Sequence, residues 1–275
     1  MPAMVDDGIK RGFIIPIGGR EDKLISPTVL SRFVDICGGK SAIIAVIPTA
    51  SKVDDIGDEY VEIFDKLGVA QAINLKIESR QDADSPLYLE QLERADGIFM
   101  TGGNQILLST TLGGTAIAKM IRRLNAQGVN VAGTSAGAAY ISGHMIAGGD
   151  SGFIPRADMV SLAPGLGLTN KLLVDQHFSQ RDRLGRLLTA LSYNPFVTGV
   201  GIDEDTAAFL DADGIIEVVG SNMLTIVDMS HLEYSSMHAA KDGEPISLVG
   251  VRMHFLLPGY RYDTVEHRVI IDERL

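Results

Sequence analysis

The feature that most constrains the fold is a regular alternation of short apolar runs with helix-like stretches. The apolar runs are rich in β-branched residues and read GFIIPI (12–17), AIIAVI (42–47), AINLKI (72–77), GIFM (97–100), VNVA (129–132), KLLV (171–174) and VTGVGI (197–202). Continuous apolar runs are typical of strands buried on both faces, and helices between them imply parallel crossovers. We therefore predict an α/β fold with a doubly wound, mostly parallel sheet.

The pattern changes after Glu204. The segment AAFLDADGIIEVVG (207–220) places Asp213 and Gly214 between two apolar runs, which is a hairpin signal. Antiparallel strands are thus expected to extend one edge of the sheet toward the C-terminus. No internal repeat, low-complexity segment or linker divides the chain, so residues 1–275 are expected to form a single domain.

Charge and cysteine content exclude several classes of function. The formal net charge of −11 disfavours nucleic acid as a partner. Cys37 is the only cysteine, which excludes an internal disulfide and a cysteine-based zinc site, and we interpret it as a buried helix residue. No basic segment followed by an apolar stretch opens the chain, and no apolar run is long enough to span a bilayer. A cytoplasmic protein without membrane contact is expected.

Functional residues are expected where strands end. In open parallel sheets, ligands bind beyond the carboxyl ends of the strands. Five such strand exits carry polar or glycine-rich segments: GGRED (18–22), PTAS (48–51), TGGNQ (101–105), GTSAG (133–137) and DQHF (175–178).

The GTSAG segment has the Gly-x-Ser-x-Gly pattern of a nucleophile elbow, in which a strained turn between strand and helix projects a serine hydroxyl. VNVA supplies the strand, and AAYISGHMI (138–146) is predicted to be the helix. Ser135 is therefore the candidate nucleophile. The amide of Ala136 is positioned to stabilise an oxyanion, and Gly102 or Gly103 offers a second donor.

A serine nucleophile needs a base, and six histidines are available. His177 follows an apolar run and precedes Ser179, which is a candidate helix N-cap with Asp182 three residues further on. His144 is expected to face outward from the elbow helix. The remaining histidines are interpreted as ordinary surface or core residues, namely His231, His238, His254 and His267.

The base in turn needs a carboxylate, and GIDEDTA (201–207) supplies three. Spacing alone leaves Asp203, Glu204 and Asp205 open as the partner of His177, because adjacent residues on an extended chain point to opposite sides. The order serine, histidine, acid differs from the order serine, acid, histidine in α/β-hydrolases.

Three arginines follow the candidate histidine. If 181–191 is helical, Arg183 and Arg186 share one face beside a leucine stripe, and Arg181 lies in the first turn close to His177. Guanidinium groups bind carboxylates in a bidentate manner, so these residues indicate a local carboxylate site as readily as a basic helix surface.

These motifs together resemble the peptidase E-like family of serine exopeptidases, in particular its cyanophycin-degrading members. The matching segments are IGGREDK, TGGNQ, GTSAGA, DQHFSQRDRLGRL and GIDEDTA. The resemblance implies a flavodoxin-like sheet related to class I glutamine amidotransferases and a triad of Ser135, His177 and Glu204. It also implies an oxyanion hole formed by the amides of Gly103 and Ala136.

The same resemblance implies a substrate pocket and a substrate. The implied pocket residues are Gln105, Asp175, Gln176, Arg181, Arg183 and Arg186. Asp175 is a candidate to hold arginyl groups, and its alternative role is a hydrogen bond at the entry to the following helix. The implied substrate is cyanophycin, a poly-aspartate chain that carries arginine on each side-chain carboxyl, and the implied product is β-aspartyl-arginine. No metal or cofactor is expected, and a homodimer is expected.

Two alternatives and one departure from the family pattern remain at this point. The alternatives are an aspartyl dipeptidase of the same family and an amidotransferase-like module that binds a partner without hydrolysis. The departure is GGREDK, where the family often has GGAEDK. We expect Arg20, the residue that differs, to face solvent without a role.

Overall fold

A computed structural model of the chain describes residues 1–271, which form seven α-helices and seventeen β-strands. The helices are α1 (Thr28–Ile36), α2 (Ile56–Lys66), α3 (Pro86–Glu93), α4 (Gln105–Leu112), α5 (Ala116–Ala126), α6 (Ala136–Tyr140) and α7 (Leu184–Tyr193). The strands up to the site are β1 (Ile14–Ile17), β2 (Ile43–Ile47), β3 (Gln71–Asn74), β4 (Gly97–Met100), β5 (Asn130–Thr134), β6 (His144–Gly149), β7 (Val160–Pro164), β8 (Leu172–Gln176) and β9 (Thr198–Ile202). The later strands are β10 (Thr206–Leu210), β11 (Ile215–Gly220), β12 (Leu224–Asp228), β13 (Tyr234–Ser235), β14 (Leu248–Val249), β15 (Arg252–Leu256), β16 (Arg261–Asp263) and β17 (Arg268–Ile270).

The largest sheet has the order β17-β16-β11-β10-β1-β5-β4-β2-β3. The five strands from β1 to β3 in that order are parallel, and β10, β11, β16 and β17 extend the sheet with antiparallel pairs. The predicted hairpin at Asp213 and Gly214 is the connection between β10 and β11. The doubly wound, mostly parallel sheet and its antiparallel C-terminal extension are thus confirmed.

Helices cover both faces of the parallel strands. The chain runs outward from β1 to β3 through α1 and α2, then returns through β4 to β5. Because crossovers between parallel strands are right-handed, the outward and return helices lie on opposite faces. On one face, α1 and α2 pack the rings of Phe33 and Phe64 against Phe99 of β4, with centroids 5.3 to 5.9 Å apart. On the other face, α5 buries Ile117 and Ile121.

The strands β8 and β9 differ from the prediction. They were expected along the one sheet, but they pair with β12 and β15 in a second sheet of order β15-β12-β9-β8. Only the β8–β9 pair is parallel there, and α7 packs on this sheet through Leu187 and Leu191. One buried cluster includes Val131 of the first sheet and Val174 and Ile202 of the second, so the two sheets share a core.

The helix predicted over AAYISGHMI is too long. Helix α6 ends at Tyr140, and His144 opens the strand β6, which pairs with β7. Ser142 forms a parallel bridge to Thr169, and Gly143 donates its N–H to the carbonyl of Thr169 at 2.7 Å, so these pairings replace the helical bonds. The exposed position of His144 is confirmed, although it lies on a strand.

Two kinds of feature are absent from residues 1–271. No helix in this range is long and apolar enough to cross a membrane. Within the same range, no three or more His, Cys, Asp or Glu side chains are placed to share a metal ion.

Candidate active site

Ser135 lies in a sharp turn between β5 and α6. Its backbone has φ 52° and ψ −108°, a region that non-glycine residues rarely adopt. A β-carbon at Gly133 would lie 2.5 Å from the backbone of Gly137, and one at Gly137 would lie 2.5 Å from the carbonyl oxygen of Met100. The two glycines of the motif therefore permit a turn that presents the Ser135 hydroxyl at the sheet edge.

His177 reaches Ser135 from the second sheet. It directly follows β8, and its Nε2 lies 2.9 Å from Ser135 Oγ. Its backbone, at φ 46°, donates an N–H to the carbonyl of Gly18 at 2.9 Å. The imidazole is buried, so its position is fixed by packing as well as by hydrogen bonds.

Glu204 completes a chain of two hydrogen bonds. Its Oε1 lies 2.7 Å from Nδ1 of His177. Because a carboxylate can only accept, Nδ1 carries the proton and the Nε2 lone pair faces the Ser135 hydroxyl. The backbone of Glu204 is held on both sides, since its N–H donates to Gln180 Oε1 at 3.1 Å and its carbonyl accepts from Asn222 Nδ2 at 2.8 Å.

The three consecutive carboxylates have separate partners, which spacing could not reveal. Asp203 is buried and accepts the backbone N–H of Ser179 at 2.9 Å. Asp205 accepts the backbone N–H of Asp22 at 2.8 Å and the hydroxyl of Ser221. Glu204 alone contacts the imidazole.

Burial lowers the pKa of His177 below its ordinary value. The hydrogen bond and charge of Glu204 raise that pKa, whereas the charges of Arg181 and Arg183 lower it further. The lowering effects are the stronger, so the imidazole is neutral at neutral pH, as a general base must be.

Three backbone amides near Ser135 have no acceptor within residues 1–271: those of Gly102, Gly103 and Ala136. Gly102 is the closer glycine, since a β-carbon there would lie 3.3 Å from Ser135 Cβ. Gly103 has φ 144° and packs on the backbone of Ala50. Ala136 is the first residue of α6, where N–H groups lack intrahelical partners.

Several implied pocket residues instead form a buried ion cluster. The carboxylate of Asp175, 1% exposed, accepts from Arg186 Nε at 2.6 Å and from Arg186 Nη2 at 2.5 Å. Arg183 Nη1 lies 3.4 Å from the same carboxylate. The hypothesis that Asp175 holds a substrate arginine does not fit this geometry, because both of its oxygens already bind guanidinium groups of the chain.

Arg183 is the member of this cluster whose charge lowers the pKa of His177. Its Nη1 also donates to Gln176, to the carbonyl at 2.5 Å and to Oε1 at 3.0 Å. Its Nε is buried and has no partner among the described residues. Burial lowers the pKa of Arg183 to about 10, which leaves the side chain charged at neutral pH.

The remaining implied pocket residues are Arg181 and Gln105. Arg181 is exposed on a 3-10 turn, Ser179–Arg181, directly after His177. Gln105 donates from Nε2 to the carbonyls of Ile146 and Ala147 at 3.2 and 2.8 Å, so it joins α4 to β6.

The predicted N-cap at Ser179 is wrong. Helix α7 begins at Leu184, and the residue that precedes it is Arg183. Asp182 adopts a left-handed conformation with φ 49°, which ends the 3-10 turn before α7 begins. Ser179 serves the site differently, because its amide ties the loop after β8 to Asp203 after β9.

Two features of the early loop, the segment GGRED (18–22) after β1, differ from what the sequence predicts. Arg20 is 75% exposed, as expected, but its Nη1 also lies 3.5 Å from Glu204 Oε2. Glu21 is buried, accepting the hydroxyl of Thr134 at 2.6 Å and the hydroxyl of Tyr60. The loop was singled out as a strand exit, yet nothing in the sequence shows that a carboxylate there is buried behind the nucleophile.

The fold and the site together define a class of protein. It is an α/β protein with a serine at a strand–helix elbow, and hydrogen bonds link this serine to a histidine and the histidine to a glutamate, as in serine hydrolases. The sequence pattern of peptidase family S51 matches residues 14–218. The chain belongs to peptidase family S51, and it is therefore a serine-type peptidase. The resemblance drawn from the motifs is confirmed at the level of the family.

Individual proteins agree with this assignment. A cyanophycinase from Geminocystis herdmanii is 42% identical over 260 residues, which cover 94% of this chain and 96% of that protein. A cyanophycinase from Trichormus variabilis is 38% identical over 259 residues, covering 94% and 87% of the two chains. The crystal structure of a peptidase from an acI-B1 Actinobacterium shares the fold with a TM-score of 0.64 at 23% identity, covering 81% of this chain and 93% of that one.

Proposed function

We propose that the protein hydrolyses cyanophycin to β-aspartyl-arginine dipeptides through an acyl-enzyme on Ser135. The observation that carries the proposal is the pair of hydrogen bonds that link Ser135, His177 and Glu204 at 2.9 and 2.7 Å. Relatives named cyanophycinase, similar over 94% of the chain, support the choice of substrate.

Acylation begins when His177 Nε2 takes the proton of the Ser135 hydroxyl. Oγ attacks the carbonyl carbon of a main-chain aspartyl amide, and the carbonyl oxygen becomes an oxyanion. Glu204 stabilises the imidazolium that forms, without itself taking the proton. General base catalysis of this kind typically contributes about 10²–10⁴-fold in rate.

The oxyanion is held by backbone amides, and the intermediate then collapses. Ala136 supplies one N–H. Gly103 supplies the other, from the peptide bond that joins it to Gly102. One such donor is typically worth about 2.7–4 kcal/mol. His177 returns its proton to the leaving nitrogen, which breaks the C–N bond. A water molecule, deprotonated by the same imidazole, then hydrolyses the ester to free acid and regenerate the Ser135 hydroxyl.

The cluster around Arg183 has a defined part in this proposal. Arg183 and the exposed Arg181 bind substrate carboxylates. Asp175, which Arg186 binds through two nitrogens, also contacts Arg183 and so helps to hold it in place. Gln176 orients Arg183 through its side-chain oxygen, and Gln105 shapes the site by fixing the start of the β6–β7 hairpin.

Mass spectrometry of the products tests the proposal. Purified cyanophycin incubated with the enzyme should release β-aspartyl-arginine from the first time points, without longer fragments, because cleavage occurs at the chain end. Cleavage of α-aspartyl dipeptides alone would instead identify an aspartyl dipeptidase. Ser135→Ala should lower the rate by at least about 10³-fold with an unchanged Tm, since His177 is the sole hydrogen-bond partner of the hydroxyl among residues 1–271.

A second measurement separates hydrolysis from mere binding. A fluorophosphonate probe should label the unmodified protein at Ser135 and should not label Ser135→Ala. A folded protein that fails to react would support the non-hydrolytic alternative. Cys37 offers no substitute nucleophile, because it is buried and burial raises the pKa of its thiol to about 12.

The proposal also includes a cytoplasmic homodimer. Dimers with twofold symmetry are the commonest homo-oligomers. Analytical ultracentrifugation at micromolar concentration tests the assembly, and a single species with the mass of one chain, 29.5 kDa, would contradict it.

A further inference from the structure

A cavity of about 260 Å³ opens beside Ser135 on the side of the early loop. Its lining includes Arg20, Glu21, Lys23, Ser51, Tyr60 and Ser135. None of the six implied pocket residues contributes to this lining, namely Gln105, Asp175, Gln176, Arg181, Arg183 and Arg186. The nucleophile and His177 therefore border a cavity whose lining contains no member of the cluster around Arg183.

The charges that a ligand would meet in this cavity are positive. Arg20 and Lys23 are the two cations of the wall, with side chains 75% and 27% exposed. The one carboxylate of the lining, Glu21, is buried, and its two oxygens already accept the hydroxyls of Tyr60 and Thr134. An anionic group can thus enter without meeting an available negative charge on the wall.

Each cation has one carboxylate partner within the described residues, and the Lys23 ammonium also lies 4.5 Å from the centre of the Tyr60 ring. Arg20 lies 3.5 Å from Glu204, and Lys23 lies 3.0 Å from the half-exposed Glu59. Exposed ion pairs contribute little to stability, so replacing Glu204 or Glu59 by a ligand carboxylate costs little free energy. A guanidinium is also the cation best shaped to bind a carboxylate with two parallel hydrogen bonds.

The backbone of the loop is anchored to both catalytic loops, which fixes where the Arg20 side chain begins. The carbonyl of Gly18 accepts the N–H of His177, and the carbonyl of Gly19 accepts the N–H of Asp205, each at 2.9 Å. Arg20 itself has φ 48°. The Arg20 side chain therefore extends from an anchored backbone, and it both contacts Glu204 and lines the cavity that holds Ser135.

We infer that this cavity is a subsite for a substrate carboxylate, which Arg20 binds by exchanging Glu204 for the ligand, with Lys23 as the second cation. This inference rests on the proposed function for the identity of the substrate. Cyanophycin offers two such groups, the carboxylate at the chain end and the α-carboxylate of each arginine. When Arg20 leaves Glu204, the glutamate is freed from a competing cation and serves His177 alone.

Binding to the catalytically inactive Ser135→Ala protein tests the inference without any need for hydrolysis. Isothermal titration calorimetry is carried out with β-aspartyl-arginine, with its arginine-carboxyl amide and with its aspartyl α-carboxyl amide. Adding Arg20→Ala should raise the Kd of the free dipeptide at least tenfold. One of the two amides lacks the carboxylate that Arg20 binds, and Arg20→Ala should change its Kd less than twofold. The carboxyl group that is blocked in this insensitive amide is the one that enters the subsite.

Two further variants complete the experiment. Arg20→Lys should recover part of the affinity, because it keeps the charge but loses the planar fork. Arg94→Ala, which removes an exposed arginine without an ion pair in the described part of the chain, should leave every Kd unchanged. Equal weakening of all three ligands by Arg20→Ala, no weakening of any, or no binding of the free dipeptide to Ser135→Ala would overturn the inference.

Hydrolysis of cyanophycin by the unmodified enzyme is assayed in parallel. Hydrolysis together with Arg20-independent binding would overturn the subsite and leave the proposed function standing. Absence of hydrolysis together with Arg20-dependent binding of the carboxylate would do the reverse.

Discussion

A β-carbon on Gly19 would lie 2.6 Å from Nε2 of His177, so this glycine and the imidazole are in direct contact. Nε2 is the atom that faces Ser135. Gly19 has φ 97°, a conformation that favours glycine for a second, independent reason. The loop after β1 therefore packs directly against the ring of the candidate base.

Gly19→Ala should displace the imidazole and lower kcat/KM by about 100-fold or more, since small misplacements of reacting groups carry losses of this size. Gly68→Ala is the matched control, because Gly68 has φ 85° and nothing within 4 Å of its β-carbon position. Both variants carry the backbone penalty of about 1–2 kcal/mol. Similar kcat/KM values for the two would show that the contact with His177 is irrelevant to activity.

The pH dependence of activity should reflect the lowered pKa of His177. Protonation of the base abolishes activity, so the acid limb of kcat/KM should have its midpoint below about 6.5, the ordinary histidine value. The positive charge of Arg181 lowers the pKa of His177. Arg181→Ala removes this charge, so the imidazolium becomes more stable and the midpoint of the acid limb moves to higher pH. NMR titration of the His177 ring in Ser135→Ala measures the same shift directly.

The shift caused by Arg181→Ala should shrink at high salt, because Arg181 is exposed and its charge is screened. Arg94→Ala serves as the control for removal of an exposed positive charge elsewhere. A downward shift in Arg181→Ala, or one equal to that in Arg94→Ala, would contradict this account of the His177 environment.

Asp175→Asn should destabilise the fold more than it affects substrate affinity. The substitution leaves the buried guanidinium groups of Arg183 and Arg186 without their carboxylate, and breaking a buried pair typically costs about 3–5 kcal/mol. Chemical denaturation gives the free energy of unfolding. Asp182→Asn, at an exposed position with left-handed backbone that asparagine tolerates, is the control. A raised KM with unchanged stability would show instead that Asp175 serves the substrate.

Glu21→Ala should lower both stability and kcat. It leaves the hydroxyls of Tyr60 and Thr134 without an acceptor, at a cost of about 1–3 kcal/mol for each buried group. The kcat effect follows because Thr134 immediately precedes Ser135. A double-mutant cycle with Tyr60→Phe measures the pair, and a coupling energy below about 0.5 kcal/mol would show that the Tyr60–Glu21 bond is unimportant.

The alternation of apolar runs and helices was sufficient to predict the parallel strands, their helices and the hairpin after Asp213, because each signal is local. The elbow at Ser135 was equally readable, since small residues are required on both sides of the turn. The roles of His177 and Glu204 are less directly predictable from the sequence than the elbow. The position of His177 at a strand exit pointed to it, but the choice of Glu204 depended on family resemblance.

The remaining features depend on pairings between distant segments. A strand buried on both faces reads the same in either sheet, so the sequence could not assign β8 and β9 to the second one. The pairing of Asp175 with Arg186 depends on how β8 packs against α7, and a carboxylate that binds substrate has the same sequence signature as one that binds the chain's own arginine. Burial of Glu21 likewise follows from the contact between two loops. The single-domain organisation of residues 1–275 stays a prediction.

Ser135 directly follows β5 of the first sheet, His177 directly follows β8 of the second, and Glu204 lies in the connection from β9 of the second sheet to β10 of the first. Neither layer alone contains a nucleophile together with its base. The three side chains therefore come within hydrogen-bonding reach of one another only when the two sheets have packed together. Recovery of hydrolysis after dilution from denaturant should accordingly time that docking step, and lag behind the return of helical circular dichroism.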